Sequence, residues 1–261
     1  MQLRRRLPHR LRLMPLLVCL AMAGQARGET LVIAADIWCP INCAPAEERP
    51  GIFVELARDI FAEAGIEVRY EMRNWARVLQ EVRRGEINAA VGAGVEDAPD
   101  FLFTSTPVAL SRNCFYTLAD STWRYAGLES LAGVRLGVIN DYSYGSALNA
   151  YVAAQRGHGD RVQVAAGDKA LDINLSKLGH RRLDAMIENS WVMQARLAAL
   201  GRRGELREAG CREPDVPIYL AFSPALPSSA RHVALFEQGL QRYRTSGRLR
   251  ALLQRYGVDE R

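Results

Sequence analysis

The chain is poor in the residues that most often carry chemistry. Histidine occurs four times in 261 residues. His158, His180 and His232 each stand isolated in the sequence. There is no Walker-type phosphate loop, no nucleophile elbow and no zinc-ligand spacing, so the usual sequence marks of nucleotide hydrolysis, serine hydrolysis and metal catalysis are missing. Gly92-x-Gly94 is only a fragment of a phosphate-loop pattern. No low-complexity tract and no internal sequence repeat occur, which argues against a linker-rich chain or a solenoid. Apolar runs are short. The longest, Leu13 to Ala23, is too short to span a bilayer comfortably, and no later segment approaches it.

Positive charge is also scarcer than it first looks. The formal net charge is +5. Arg4, Arg5, Arg6, Arg10 and Arg12 lie in residues 1–26, where there is no acid, and the remainder is near neutral. A neutral chain without a basic run lacks the electrostatic footprint of a nucleic-acid binder. Residues 1–26 read as a secretory signal: an arginine-rich start, an apolar run, and small residues before a cut at Ala21-Met22-Ala23 or Gly24-Gln25-Ala26. Cys19 is preceded by Val18 rather than a small residue, which disfavours a lipid anchor. The rest reads as a soluble exported protein, with an ordinary apolar fraction of 49% and charged fraction of 24%.

What is present is an α/β rhythm. Ile52, Phe53, Leu56, Ile60, Phe61 and Ala64 recur at i, i+3, i+4 spacing and predict a helix closed near Gly65. Val68 and Tyr70 alternate with charges as in a half-buried strand. Asn74 is placed to cap a second helix with Trp75, Val78, Leu79 and Val82 inward. Gly85 closes it, and Ile87 to Ala93 reads as a buried strand. Ligands of such sheets sit at the carboxyl ends of the strands. Four cysteines remain beyond residue 26: Cys39, Cys43, Cys114 and Cys211. In an exported chain they favour disulfides, and three pairings are open. Cys39 and Cys43 enclose only three residues and can meet in a tight loop.

The run Gly51-Ile52-Phe53-Val54-Glu55-Leu56-Ala57, then Trp75, then Gly85-Glu86-Ile87-Asn88 and Gly92-Ala93-Gly94, resembles the polar amino-acid type (family 3) of bacterial periplasmic solute-binding proteins of ABC transporters. Further matches are Phe103-Thr104-Ser105-Thr106-Pro107, Leu131 to Ile139, the segment from Leu178 to Gly201, and the C-terminal Phe236 to Gly257, so the likeness covers nearly all of the mature chain. It implies an α/β, two-lobed fold, each lobe a mixed sheet flanked by helices, joined by two hinge crossings. The expected division is residues 1–26 as signal, 27–118 as the first part of lobe one, 119–217 as lobe two and 218–261 as the return to lobe one. The crossings are expected at Asp120–Tyr125 and Cys211–Pro217.

The resemblance also implies a site. Trp38, at the end of the first strand, would stack on the ligand. Trp75 and Gly94 would face the cleft. Ser143 and Tyr144, at a helix start, would offer hydroxyl and backbone N–H groups to a carboxylate. Two family anchors are altered. The segment Ala98-Pro99-Asp100-Phe101 lacks the arginine that pairs with an α-carboxylate, leaving Arg112 as the nearby substitute. The aspartate that reads the α-ammonium is replaced by Asn189, with Glu188 beside it. The likeness supports the disulfides Cys39–Cys43 and, by remainder, Cys114–Cys211. It implies a periplasmic monomer without metal or cofactor. Such a protein captures an amino-acid-like or carboxylate-bearing metabolite and hands it to the membrane subunits of an ABC transporter. Two alternatives stand beside that one: a sensor partner of a membrane receptor, and a cyclohexadienyl-dehydratase-like periplasmic enzyme using Glu96, Asp97 or Glu188.

Overall fold

A computed structural model describes residues 28–157 and 161–258. The expected signal segment and His158 lie outside them. Among the described residues no helix is long and apolar enough to cross a membrane.

Two five-stranded mixed sheets form, one in each lobe. The first contains β1 (Thr30–Ala35), β2 (Glu67–Met72), β3 (Ala89–Ala93), β4 (Ala109–Ser111) and β10 (Val216–Phe222), in the order β2-β1-β3-β10-β4. The second contains β5 (Asn113–Leu118), β6 (Leu136–Ile139), β7 (Val162–Ala165), β8 (Ala185–Asn189) and β9 (Leu206–Cys211), in the order β7-β6-β8-β5-β9. In each sheet three strands run parallel and the last two are antiparallel to their neighbours.

The helices follow the apolar spacing. α1 (Ile52–Ala62) buries Ile52, Phe53, Leu56, Ile60 and Phe61. Phe61 stacks on Phe236 of α6 (Ser229–Thr245), with centroids 6.0 Å apart, and meets Phe222 of β10 edge-on. Burying one such ring contributes about 1.5–3 kcal/mol by the apolar area it removes from water. α2 (Trp75–Arg83) buries Trp75, Val78, Leu79 and Val82, although the Asn74 side chain makes no capping hydrogen bond. Gly51 has φ +118, and a Cβ there would lie 2.5 Å from the Asn42 backbone. Only glycine lets the disulfide loop close against the start of α1.

The second lobe carries α3 (Ser146–Gln155), α4 (Ala170–Gly179) and α5 (Ser190–Ala199). Its strand β5 corrects the expected division. Residues 113–118 pair with β8 and β9, not with the first sheet. The outward crossing is therefore the single residue Arg112, between β4 and β5, and not Asp120–Tyr125. Alternation within 109–118 does not reveal that the ladder partner changes at Arg112, because both halves are buried. The return crossing is residues 212–215, since Val216 already pairs with Ser111. The two crossings touch, with the Arg212 N–H donating to the Asn113 carbonyl at 2.9 Å. The chain ends on α6 and α7 (Arg248–Arg255), both packed on the first lobe.

Two disulfides are formed, Cys39–Cys43 and Cys114–Cys211. The first pins the loop after β1. The second joins β5 to β9 where the two crossings enter the second lobe. Among the described residues two His/Cys/Asp/Glu clusters have metal-like proximity, and both are built on these bonded sulfurs.

Candidate functional site

The strand ends of both lobes face each other across a cavity of about 40 Å³. From the first lobe it is lined by Asp36, Trp38, Trp75, Val91, Gly92, Gly94, Asp97 and Ser111, with Val216 and Ile218 of β10. From the second lobe come Tyr142 and Ser143. Gly92 has φ +83, and a Cβ there would lie 3.4 Å from the Trp38 ring. Its missing side chain lets the end of β3 approach the indole.

Several hydrogen bonds cross the cleft. The Tyr142 hydroxyl donates to Asp36 Oδ2 at 2.7 Å. Trp38 Nε1 donates to Glu188 Oε1 at 2.9 Å, and Trp75 Nε1 to the Asp141 carbonyl at 3.1 Å. The Glu96 carboxylate accepts from Asn149 Nδ2 at 3.1 Å and from the Ser143 hydroxyl at 3.3 Å. Trp38 and Tyr142 also meet edge to face, with centroids 6.1 Å apart.

Asp36, Asp97 and Glu188 share this region, and among the described residues no cation lines the cavity. Burial pushes Asp36 up to about 6, against the Tyr142 hydrogen bond that favours its ionised form. Burial likewise raises Asp97 to about 7, although it accepts the Gly94 N–H at 2.6 Å. Glu188 is 1% exposed and is raised to about 7 by burial. Its Oε1 accepts from Trp38 and from the Asn189 N–H at 2.7 Å, and its Oε2 has no partner. Tyr142 and Tyr144 are both held well above the ordinary phenol value, chiefly by burial and then by nearby carboxylates.

The sequence-predicted residues divide. Trp38, Trp75, Gly94 and Ser143 line the cavity. Glu188 stands behind Trp38, fixing its indole. Tyr144 does not reach the cleft: it is 3% exposed, and its hydroxyl accepts the Ile139 N–H at 2.9 Å. Asn189 is a helix cap. Its Oδ1 accepts from the Trp191 and Val192 N–H groups, and its Nδ2 donates to Ser111. Arg112 lies outside the cavity lining, with Nε 3.3 Å from Cys211 Sγ. It follows the crossing strand to the disulfide.

The expected carboxylate site at the start of α3 is occupied by the chain itself. The Tyr144 N–H donates to Asn149 Oδ1 at 2.8 Å, and the Gly145 N–H to Ser143 Oγ at 3.4 Å. The side-chain donors of Ser143 and Asn149 turn to Glu96. The Ser143 N–H serves Asp97.

Sequence reasoning missed Asp36, Tyr142 and Ser111. Asp36 follows directly on β1, so the strand-end rule that singled out Trp38 applies equally to it. Asp97 reads in the sequence as a turn-capping acid. It does cap the Gly94 turn, and it also faces the cavity.

No family model and no curated protein matches the sequence. Solved structures do match. A histidine kinase sensor domain described as similar to periplasmic binding proteins is 22% identical with a TM-score of 0.74, covering 90% of this chain and 99% of that one. The P235GK mutant of an arginine-binding protein from T. maritima is 19% identical with a TM-score of 0.71, covering 88% and 95%. The fold is that of the periplasmic binding proteins. An amino-acid transporter substrate-binding protein from Streptococcus pneumoniae, bound to L-arginine, has the same fold at 19% identity and a TM-score of 0.68, covering 87% and 94%. In this periplasmic-binding-protein-like fold the cavity described above lies between the two lobes, beside the crossings.

Proposed function

We propose that this chain is an exported solute-binding protein. It captures a small ligand between its lobes and presents the closed form to a membrane partner. The observation that carries this is the inter-lobe cavity, whose wall and cross-cleft hydrogen bonds are supplied by both lobes. A ligand in such a cavity touches two bodies joined only by short crossings, so its binding energy favours their closure. The structural neighbours described above are binding proteins and a sensor domain, which supports the binding role over an enzymatic one.

The partner is the membrane part of an importer or a receptor. Neighbours of both kinds share the fold at comparable scores, so both belong to the same reading of the cleft. Export is supported by the signal-like residues 1–26 and by the two disulfides, which persist in oxidising compartments. A thermal-shift screen over amines, amino acids, dicarboxylates and sugars tests the binding role. A ligand at about 100 times its dissociation constant adds about 2.7 kcal/mol to stability. A clear rise in melting temperature with one class is expected, and no rise with any class overturns the proposal.

A further inference from the structure

We infer that the ligand of this cleft is a small organic amine, a cation that carries no carboxylate. The inference rests on the cleft being a solute site and goes on to name the solute's chemistry.

The cavity wall combines the carboxylates of Asp36 and Asp97 with the rings of Trp38, Trp75 and Tyr142, and its lining includes no lysine, arginine or histidine. Aromatic faces attract cations through the ring quadrupole, and carboxylates give ammonium groups strong charge-assisted hydrogen bonds. A carboxylate on the ligand would meet the same acids at close range in a water-poor site, where like charges repel strongly.

The second lobe would be the natural place for a ligand carboxylate, and its Ser143, Tyr144, Gly145 and Asn149 donors are already engaged. Ser143 and Asn149 hold Glu96, a carboxylate delivered from the other lobe, and the Ser143 N–H serves Asp97. An amino acid binding there would have to displace Glu96 and lie against Asp97. The chain supplies its own anion where an amino-acid ligand would place one.

Glu188 adds a further acid close behind the wall. It is 1% exposed, and its Oε2 has no hydrogen-bond partner. A buried carboxyl oxygen without a partner is costly unless a positive charge or a proton compensates it. Glu188 lies behind the cavity wall, with its Oε1 bonded to Trp38 Nε1. The raised proton affinities of the two lining acids, Asp36 and Asp97, couple cation binding to proton release where these groups are still partly protonated. The cavity is small, at about 40 Å³. That suits a compact or slender amine.

The test is calorimetric titration of the purified, processed protein with matched pairs that differ by one carboxylate: ethanolamine and serine, putrescine and ornithine, agmatine and arginine, histamine and histidine. Succinate and acetate serve as anions. At least one amine is expected to bind at least tenfold tighter than its amino-acid partner. At pH 6 its binding should release on the order of one proton, read from titrations in buffers of different ionisation heat. The variant Asp36→Asn should weaken that amine at least tenfold and reduce the proton release. Asp36→Asn is nearly isosteric, and circular dichroism checks its fold. An amino acid or an anion binding tighter than every amine overturns the inference while leaving the solute-binding reading intact. Unchanged proton release in Asp36→Asn also overturns it. If no compound of any class binds, here or in the thermal screen, both readings fall.

Discussion

In the first lobe three parallel strands are followed across the sheet by two antiparallel ones, and the second lobe repeats that order. What the lobes bring to the cleft is not repeated. The first lobe supplies Asp36, Asp97 and Glu96, together with both tryptophans. The second supplies Tyr142, Ser143 and Asn149, and keeps its acid, Glu188, buried behind Trp38. At the cavity wall the first lobe presents the acids, and Tyr142, Ser143 and Asn149 of the second donate to them, while the two tryptophans donate in the other direction. A shared topology therefore fixes where the site lies, while the strand-end residues decide its chemistry.

The disulfides separate the lobes most sharply. Cys114 and Cys211 are 97 residues apart in sequence, and Cys39 and Cys43 are four apart. The chain-entropy relation gives about 4.7 kcal/mol for closing the long loop and about 2 kcal/mol for the short one. Urea unfolding should show Cys114→Ser with Cys211→Ser losing clearly more stability than Cys39→Ser with Cys43→Ser. Equal losses would mean that the second bridge constrains no more of the unfolded chain than the first.

The cores come next. Phe61 packs on Phe222 and Phe236 in the first lobe, and Phe115 stacks on Tyr125 at 4.0 Å in the second. Phe61→Ala and Phe115→Ala should each cost about 3–5 kcal/mol. If the lobes unfold as one unit, both variants move a single transition. Two separated transitions in the calorimeter would show that the crossings do not couple them.

Acidity addresses the cleft itself. Asp36, Asp97 and Glu188 hold protons in the folded protein at pH values where the unfolded chain has released them. Glu96 and Asp168 add negative charge near Asp97 and Asp36 respectively, and no cation lines the cavity to oppose them. Stability should thus fall as pH rises from about 4 to about 7, by at most about 1.4 kcal/mol per pH unit for each group. Opening the cleft rehydrates the carboxylates and limits the loss. Asp97→Asn and Glu188→Gln should flatten the melting temperature across this window. A wild-type profile that is flat, or that rises with pH, would contradict the raised proton affinities.

The smallest effect is the inter-lobe latch. Glu96 is exposed, so Glu96→Gln should cost about 0.2–1 kcal/mol, as solvent-exposed charged contacts usually do. Its sharper readout is selectivity. Glu96→Ala frees the Ser143 and Asn149 donors, and binding of the amino-acid members of the matched pairs should strengthen relative to the amines.

Most of this architecture was legible in the sequence. The α1 and α2 faces, the strand ends at Trp38 and Gly94, and the α/β order follow from apolar periodicity and glycine placement. The place where the chain changes lobes was not, because β4 and β5 are equally buried and only pairing distinguishes them. Within the site, the family resemblance marked Trp38, Trp75, Ser143 and Glu188 as candidates. It did not show that the hydroxyl of Tyr144 would be used by the Ile139 N–H, or the amide of Asn189 by α5. Nor did it show that Glu96 would reach the donors of Ser143. Those outcomes depend on partners far away in sequence, and no local pattern encodes them.

The most direct test is a crystal structure of the processed protein grown with the tightest-binding member of the matched pairs. The structure predicts an ammonium nitrogen against Asp36 and within about 6 Å of an aromatic ring centre, with Glu96 still held by Ser143 and Asn149. A ligand carboxylate on Ser143 and Asn149, with Glu96 swung away, would contradict it.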